Sequence, residues 1–103
     1  MKVTITNLNN NSVSVHLPNE IITHLKSKTI VVKENNGEIF IRPSIIDDNK
    51  TWSISKTSNS FTYTTVNSNN LIGEYLVEYQ DDFIVLYRHH LRNGTANKKW
   101  NQK

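Results

Sequence analysis

A chain of 103 residues, 36% of them hydrophobic and 20% charged, is long enough for one modest core and too short for two domains. It contains no cysteine, which excludes disulfides, thiolate nucleophiles and cysteine-based zinc sites. No apolar run approaches the roughly 18–20 residues of a membrane span, and the polar start MKVTITNLNN is unlike a signal peptide. We therefore expect an intracellular, cytoplasmic protein that contacts no membrane.

The net charge of +3 is unevenly distributed along the chain. Residues 1–46 carry a net charge of +2, residues 47–87 carry −4, and residues 88–103 carry +5 without a single acid. A concentrated positive charge favours nucleic acid as a partner. The basic excess therefore belongs to the end of the chain, and the second half of the body is acidic.

Alternation of apolar and polar residues dominates the chain and predicts strands. The predicted strands cover residues 2–6, 12–17, 29–34, 38–42, 51–56, 60–66, 74–80 and 82–88. Asn36-Gly37 predicts a tight hairpin turn between the third and fourth strands, because this pair tolerates positive backbone angles. Residues 80–82 predict a second hairpin turn.

One helix is predicted near residues 18–27. Pro18 ends the second strand and favours a helix start, and Glu20 lies in the first turn, where the helix dipole favours an anion. Ile21, Ile22 and Leu25 form one apolar stripe. Such a short helix persists only when it is packed against a core.

These elements predict a mainly β fold with one short helix. We expect a single β-rich domain at residues 1–88 and a basic flexible tail at 89–103. Inward-pointing side chains are expected at Val15, Ile22, Ile39, Ile41 and Ile54.

The two halves of the domain, residues 1–46 and 51–88, resemble each other weakly. Residues 3–6 are echoed by 52–55, residues 13–15 by 61–63, and the hairpin 30–42 by 76–88. Residues 67–70 stand where the first half has its helix. A duplication explains the echo, and so does the tendency of alternating strands to imitate one another.

Residues 2–43 resemble the swapped-hairpin barrel domain of the AbrB and MazE family of bacterial transition-state regulators and antitoxins. The likeness runs from the Asn/Ser turn through the strand 12–17 and Pro18, into the helix opened by Glu20-Ile21, and ends with the hairpin 29–42 and Pro43. In that family each copy's hairpin completes its partner's barrel. The resemblance therefore implies a small swapped-hairpin β-barrel. It forms either from a homodimer or from a one-chain pseudo-dimer in which residues 51–88 supply the second copy.

The resemblance also implies contacts with double-stranded DNA at the first turn and at the outward residue before the proline. The corresponding residues here are Lys2, Asn7, Asn10, Asn11 and His16. The family commonly has arginine where this chain has His16, and a neutral imidazole lacks the permanent charge of arginine. A solvated surface histidine is the alternative interpretation of His16.

The basic tail is the second candidate for nucleic-acid binding. It could contact phosphates, and Trp100 could stack on a base; a solubilising tail is the alternative. The DNA-binding candidates in this segment are Arg88, Arg92, Lys98 and Lys99.

The remaining motifs favour structural interpretations. His89-His90 lacks further ligands at metal-binding spacing, and Asp47-Asp48 and Asp81-Asp82 lie in predicted turns, where aspartate is common. An aromatic set has the spacing of a base-stacking platform and also that of a strand core; its members are Trp52, Phe61, Tyr63, Tyr75 and Tyr79. No catalytic motif is present, so we expect no enzyme, metal or cofactor.

The sequence thus favours a DNA-binding regulator of AbrB/MazE type from a bacterium or phage. The alternative is a protein-binding module, antitoxin-like or a phage-encoded inhibitor, that uses the acidic second half.

Overall fold

The computed structural model describes residues 1–44 and 51–88. Its elements in chain order are β1 (Lys2–Asn9), β2 (Ser12–His16), α1 (Asn19–Leu25), β3 (Thr29–Asn35), β4 (Glu38–Pro43), β5 (Trp52–Ser53), β6 (Ser60–Thr64), a 3₁₀ helix (Ser68–Leu71), β7 (Gly73–Tyr79) and β8 (Ile84–Tyr87). The predicted fold class, mainly β with one short helix, is confirmed.

The eight strands form one antiparallel sheet in the order β5-β3-β4-β8-β7-β1-β2-β6. The sheet curls until its two end strands approach each other, which makes a nearly closed barrel. Among the described residues, one backbone hydrogen bond joins the two end strands. Ser55 N–H, just after β5, donates to the Ser60 carbonyl of β6 at 2.8 Å. We call the gap between β5 and β6 the seam.

Strand pairing relates the two halves by an approximate twofold axis. Val32 pairs with Ile41 in the β3–β4 hairpin, and Val77 pairs with Leu86 in the β7–β8 hairpin, 45 positions further along in both strands. The axis crosses the sheet twice. At one crossing Phe40 of β4 faces Val85 of β8, and at the other Ser14 of β2 faces Thr62 of β6.

The first strand of each half pairs with the hairpin of the other half. Val3 of β1 lies opposite Tyr75 of β7, and Trp52 of β5 lies opposite Ile30 of β3. In this register Ile30 corresponds to Tyr75. The sequence comparison of the two halves had matched Ile30 with Leu76, which is one residue further along the chain. Each half is therefore completed by the other.

The core fills the barrel and is also covered by α1. Val15, Ile39, Ile41 and Ile54 are each 3% exposed or less, as predicted. In α1 the prediction was less accurate, because Ile21 is fully buried whereas Ile22 is only partly buried against the core.

The predicted strand at 51–56 is wrong in length, because β5 has only two residues. Beyond it the Ser55 Oγ lies within hydrogen-bonding reach of the backbone N–H groups of Thr57 and Ser58. Asn59 N–H donates to the Ser55 carbonyl, and Asn59 adopts a positive φ of 54°. A serine that bonds to neighbouring backbone competes with the strand ladder, so the chain turns early.

Both hairpins have two-residue turns but differ in backbone conformation. Asn36 and Gly37 have φ of 52° and 83°, as the Asn-Gly pair predicts. In the other hairpin Gln80 N–H donates to the Phe83 carbonyl at 2.9 Å. Asp81 and Asp82 form this second turn without positive φ.

Candidate nucleic-acid interface

The outer face of β1, β2 and β6 carries hydroxyl groups and few charges. Alternation along each strand turns Val3, Ile5, Val13 and Val15 inward. The outward residues of the three strands are Lys2, Thr4, Thr6, Ser14, His16, Ser60, Thr62 and Thr64. Hydroxyl side chains and cations are the groups that commonly contact DNA phosphates.

The asparagine-rich turn between β1 and β2 is held by its own side chain and by the second half. The Asn9 Oδ1 accepts hydrogen bonds from Asn11 N–H and from the Ser12 hydroxyl. The carbonyl of Asn10 accepts from Ser68 Oγ, and that of Asn11 accepts from Thr65 N–H. The side chains of Asn7, Asn10 and Asn11 are exposed.

His16 is exposed at the opposite end of β2, where one ring nitrogen is bound to the loop 55–60. Its Nδ1 lies 2.9 Å from the Ser58 carbonyl and 3.2 Å from Ser60 Oγ. Because a carbonyl oxygen only accepts hydrogen bonds, Nδ1 carries the proton. In the neutral ring Nε2 is then an acceptor. It can meet an amino group of a base, and it can donate to a phosphate only after protonation.

Two lysines lie at the same loop. Lys28 donates to Asn59 Oδ1 at 2.8 Å, and Lys56 is exposed within the loop itself. With His16, they form a group that we call the basic loop cluster (His16, Lys28, Lys56). The hydrogen bonds that build the cluster join residues 31 to 44 positions apart, so no local sequence pattern predicts it.

Lys2 is paired with an acid on the neighbouring strand. Its Nζ lies 3.5 Å from Glu74 Oε1, and both side chains are about two-thirds exposed. An exposed pair of this kind contributes little to stability. Lys2 can therefore exchange the carboxylate for a phosphate at small cost.

Arg88 is used inside the fold. Its Nη2 shares its two hydrogens among three acceptors, the carbonyls of Asn70 and Ile72 and the Tyr75 hydroxyl, at 2.9, 3.2 and 2.5 Å. The guanidinium also lies 4.5 Å from the centre of the Tyr75 ring. This placement links the end of β8 to the start of β7, and it does not favour a phosphate contact by Arg88.

Several predicted candidates lie outside the described residues. They are Arg92, Lys98, Lys99, His89-His90 and Asp47-Asp48. Asp81 and Asp82 are exposed in the turn between β7 and β8, as predicted. Within residues 1–44 and 51–88 no group of three or more histidines and acids is placed to hold a metal ion. In the same ranges no helix is long and apolar enough to cross a membrane.

The aromatic residues belong mainly to the core. Phe61, Tyr63 and Tyr75 are at most 8% exposed, and the half-buried Trp52 packs against Tyr63 with ring centres 5.2 Å apart. Tyr79 is partly exposed beside His24 of α1. Burial and a hydrogen bond to Glu34 raise the pKa of Tyr63 well above its ordinary value.

Comparison of the chain with protein-family models, with curated proteins and with solved structures finds no match.

Proposed function

We propose that the protein binds double-stranded DNA as a regulator of AbrB/MazE type, with the two-copy barrel of that family formed by one chain. The observation that carries this proposal is reciprocal pairing, since β1 pairs with β7 of the second half and β5 pairs with β3 of the first. The resemblance implies this exchange between two copies. Here the exchange takes place between two halves, so a second chain is not needed to complete the barrel.

The proposed barrel contact combines the hydroxyl-bearing outer face with the basic loop cluster. Lys28 and Lys56 supply permanent charge at the loop 55–60, and Lys2 can leave Glu74 for a phosphate. His16, which belongs to the cluster, has its Nδ1 3.2 Å from the Ser60 hydroxyl of β6. Such contacts position a protein on DNA without selecting sequence.

The barrel contact alone is weak, because residues 1–87 carry a net charge of −2. Most phosphate contacts are therefore assigned to the four cations beyond Arg88, which are Arg92, Lys98, Lys99 and Lys103. Counterion release makes the logarithm of affinity fall with the logarithm of salt concentration, with a slope of about −0.9 per phosphate neutralised. The number of contacts can be read from that slope.

The experiment is a salt titration of binding to a labelled duplex, starting near 50 mM salt. Full-length protein is compared with a variant that lacks residues 92–103, which we expect to lose most of the slope. In the full-length protein, the double variant Lys28→Gln with Lys56→Gln should lose about two phosphate contacts, so the salt slope should become shallower. Lys33→Gln with Lys26→Gln is the matched control for charge, and should change the slope less. Full-length protein without salt-sensitive binding would rule the proposal out.

A protein-binding module remains the second candidate because of the β7–β8 turn. Asp81 and Asp82 are exposed there, at positions where the other hairpin has Asn36 and Gly37. A basic partner would fit this acidic turn. Titration with an oligolysine peptide should shift the amide resonances of residues 78–82, and Asp81→Asn with Asp82→Asn should abolish the shifts. Unchanged resonances would remove this candidate.

A further inference from the structure

A second apolar cluster lies on the outer face of the sheet, where the twofold axis passes between β4 and β8. Ile39 and Ile41 of β4 point into the barrel, so Phe40 between them points outward, and Val85 lies directly opposite it. The Phe83 ring stacks on Phe40 with ring centres 5.8 Å apart. We call these three residues the outer cluster (Phe40, Phe83, Val85).

The outer cluster is covered by the chain itself. In the single chain the exposed fractions are 3% for Phe40, 6% for Phe83 and 0% for Val85, whereas Thr62 at the opposite crossing of the axis is exposed. The outer face of an antiparallel sheet is commonly solvated, so another layer of the chain must pack over the cluster. Neither α1 nor the 3₁₀ helix supplies this layer, because their buried apolar residues belong to the core inside the barrel.

Of the two segments outside the described residues, 45–50 is too short to cover Val85. Both of its ends are held near Thr29, because Ser44 N–H donates to the Thr29 carbonyl and Ser53 pairs with Thr29. A loop of six residues that leaves this place and returns to it extends about 10 Å. Val85 is level with the fourth residue beyond Thr29 on β3, about 13 Å along the sheet, and lies two strands to the side.

Residues 89–103 fit the outer cluster in position, length and apolar content. They follow the end of β8, the strand that carries Val85, and can span about 50 Å when extended. Their sequence includes the large apolar side chains of Leu91 and Trp100. The end of the chain is therefore the segment that can return over the strand it leaves.

Charge favours the same segment. Glu78 of β7 lies directly opposite Val85, and the β7–β8 turn adds the exposed Asp81 and Asp82. Residues 89–103 carry four cations and no acid. The described cations of this outer face belong to β3 and β4, on the other side of the cluster, and are Lys33 and Arg42. The cations of the segment should therefore be held towards β7.

We propose that the outer face of β4 and β8 is the docking surface of the chain's own residues 89–103, and that duplex DNA displaces them from it. Docking does not require DNA binding. Displacement rests on the proposed function, which assigns the cations of this segment to phosphates. A docked segment holds these cations beside Glu78, Asp81 and Asp82, so phosphates compete with the carboxylates for the same charges.

Docking is tested with a spin label on the full chain. Because the sequence contains no cysteine, Asn97→Cys gives a single labelling site. In NMR spectra of the free protein, compared with spectra after the label is reduced, the label should broaden the amide signals of Phe40 and Val85. The amides of Ser14 and Thr62, at the opposite crossing, should stay sharp. Sharp Phe40 and Val85 signals, or equal broadening at both crossings, would overturn docking.

A matched pair of double variants in the labelled chain tests the apolar contact. Leu91→Ser with Trp100→Ser removes the large apolar side chains of the segment and should abolish the broadening. Asn93→Ser with Asn101→Ser changes as many residues of the same segment and should keep it. Both pairs lie outside the barrel strands. Broadening that survives the first pair, or that is lost in both, contradicts docking on the outer cluster.

Displacement is tested by adding duplex DNA to the labelled protein at low salt. A duplex that binds should restore the amide signals of Phe40 and Val85. A duplex that binds and leaves them broadened overturns displacement and leaves the proposed function standing. A duplex that does not bind overturns the proposed function together with displacement, and docking is then decided by the spectra of the free protein alone.

Discussion

The two halves of the chain share one register and differ at one hairpin. In the first half β1 has eight residues and pairs with β2 from Ile5 to Asn9. In the second half β5 has two residues and ends at Ser53, and the Ser55 hydroxyl bonds to the following turn. A few local hydrogen bonds therefore decide whether a barrel of this topology closes or stays open along one seam.

The connections that follow these hairpins differ as well. Pro18 precedes the seven-residue α1, which buries Ile21 and Leu25. The second half has no proline at the corresponding place and forms only a 3₁₀ helix, which buries Ser68 and Leu71. The two halves therefore share their strand pairing and differ in the segments that connect the strands.

The largest expected effect tests whether the two hairpins are energetically equivalent. Ile41 and Leu86 occupy corresponding core positions and are both fully buried. Ile41→Ala and Leu86→Ala should each lower the free energy of unfolding by about 2–5 kcal/mol through lost transfer energy and a residual cavity. Urea denaturation measures both, with the exposed Thr23→Ala as a control that changes it by about 0.5 kcal/mol or less. A large loss in only one hairpin would break the equivalence.

Much of the shared strand arrangement could be predicted from the sequence. Val15 and Ile54 alternate with polar residues, which indicates strands directly, and Asn36-Gly37 indicates its turn. The early end of β5 could not be predicted, because it depends on which backbone groups the Ser55 hydroxyl reaches. The basic loop cluster and the internal role of Arg88 rest on contacts between distant parts of the chain, which alternation does not encode.

A smaller effect is expected at the two turns. Gly37 has φ of 83°, a conformation that costs other residues about 1–2 kcal/mol, whereas Asp82 at the corresponding position has no positive φ. Gly37→Ala should therefore destabilise the protein by about that amount, and Asp82→Ala by about 0.5 kcal/mol or less. Thermal unfolding of the two variants checks the difference. Equal losses would mean that the two turns have the same conformational requirement.

The two halves should also differ in their contribution to the stability of the protein at alkaline pH. Tyr63, with its raised pKa, corresponds to Val15 in the first half. The unfolded chain releases the tyrosine proton near pH 10, before the folded protein does, so stability is fully present below about pH 10 and falls as the pH rises beyond it. Tyr63→Phe should make this fall shallower, as measured by denaturation at several alkaline pH values. An unchanged pH dependence would show that Tyr63 keeps its proton no better in the folded protein.

The proposed DNA contact by the barrel face is tested most directly at His16. In protein lacking residues 92–103, His16→Arg adds the permanent charge that the family commonly has at this position. The salt slope for duplex DNA should steepen by about 0.9, one additional phosphate, and affinity near 50 mM salt should rise. Thr23→Arg adds the same charge on the exposed side of α1 and should have a smaller effect. If His16→Arg leaves affinity and slope at the values of its parent, the barrel face does not meet DNA, and the central claim is contradicted.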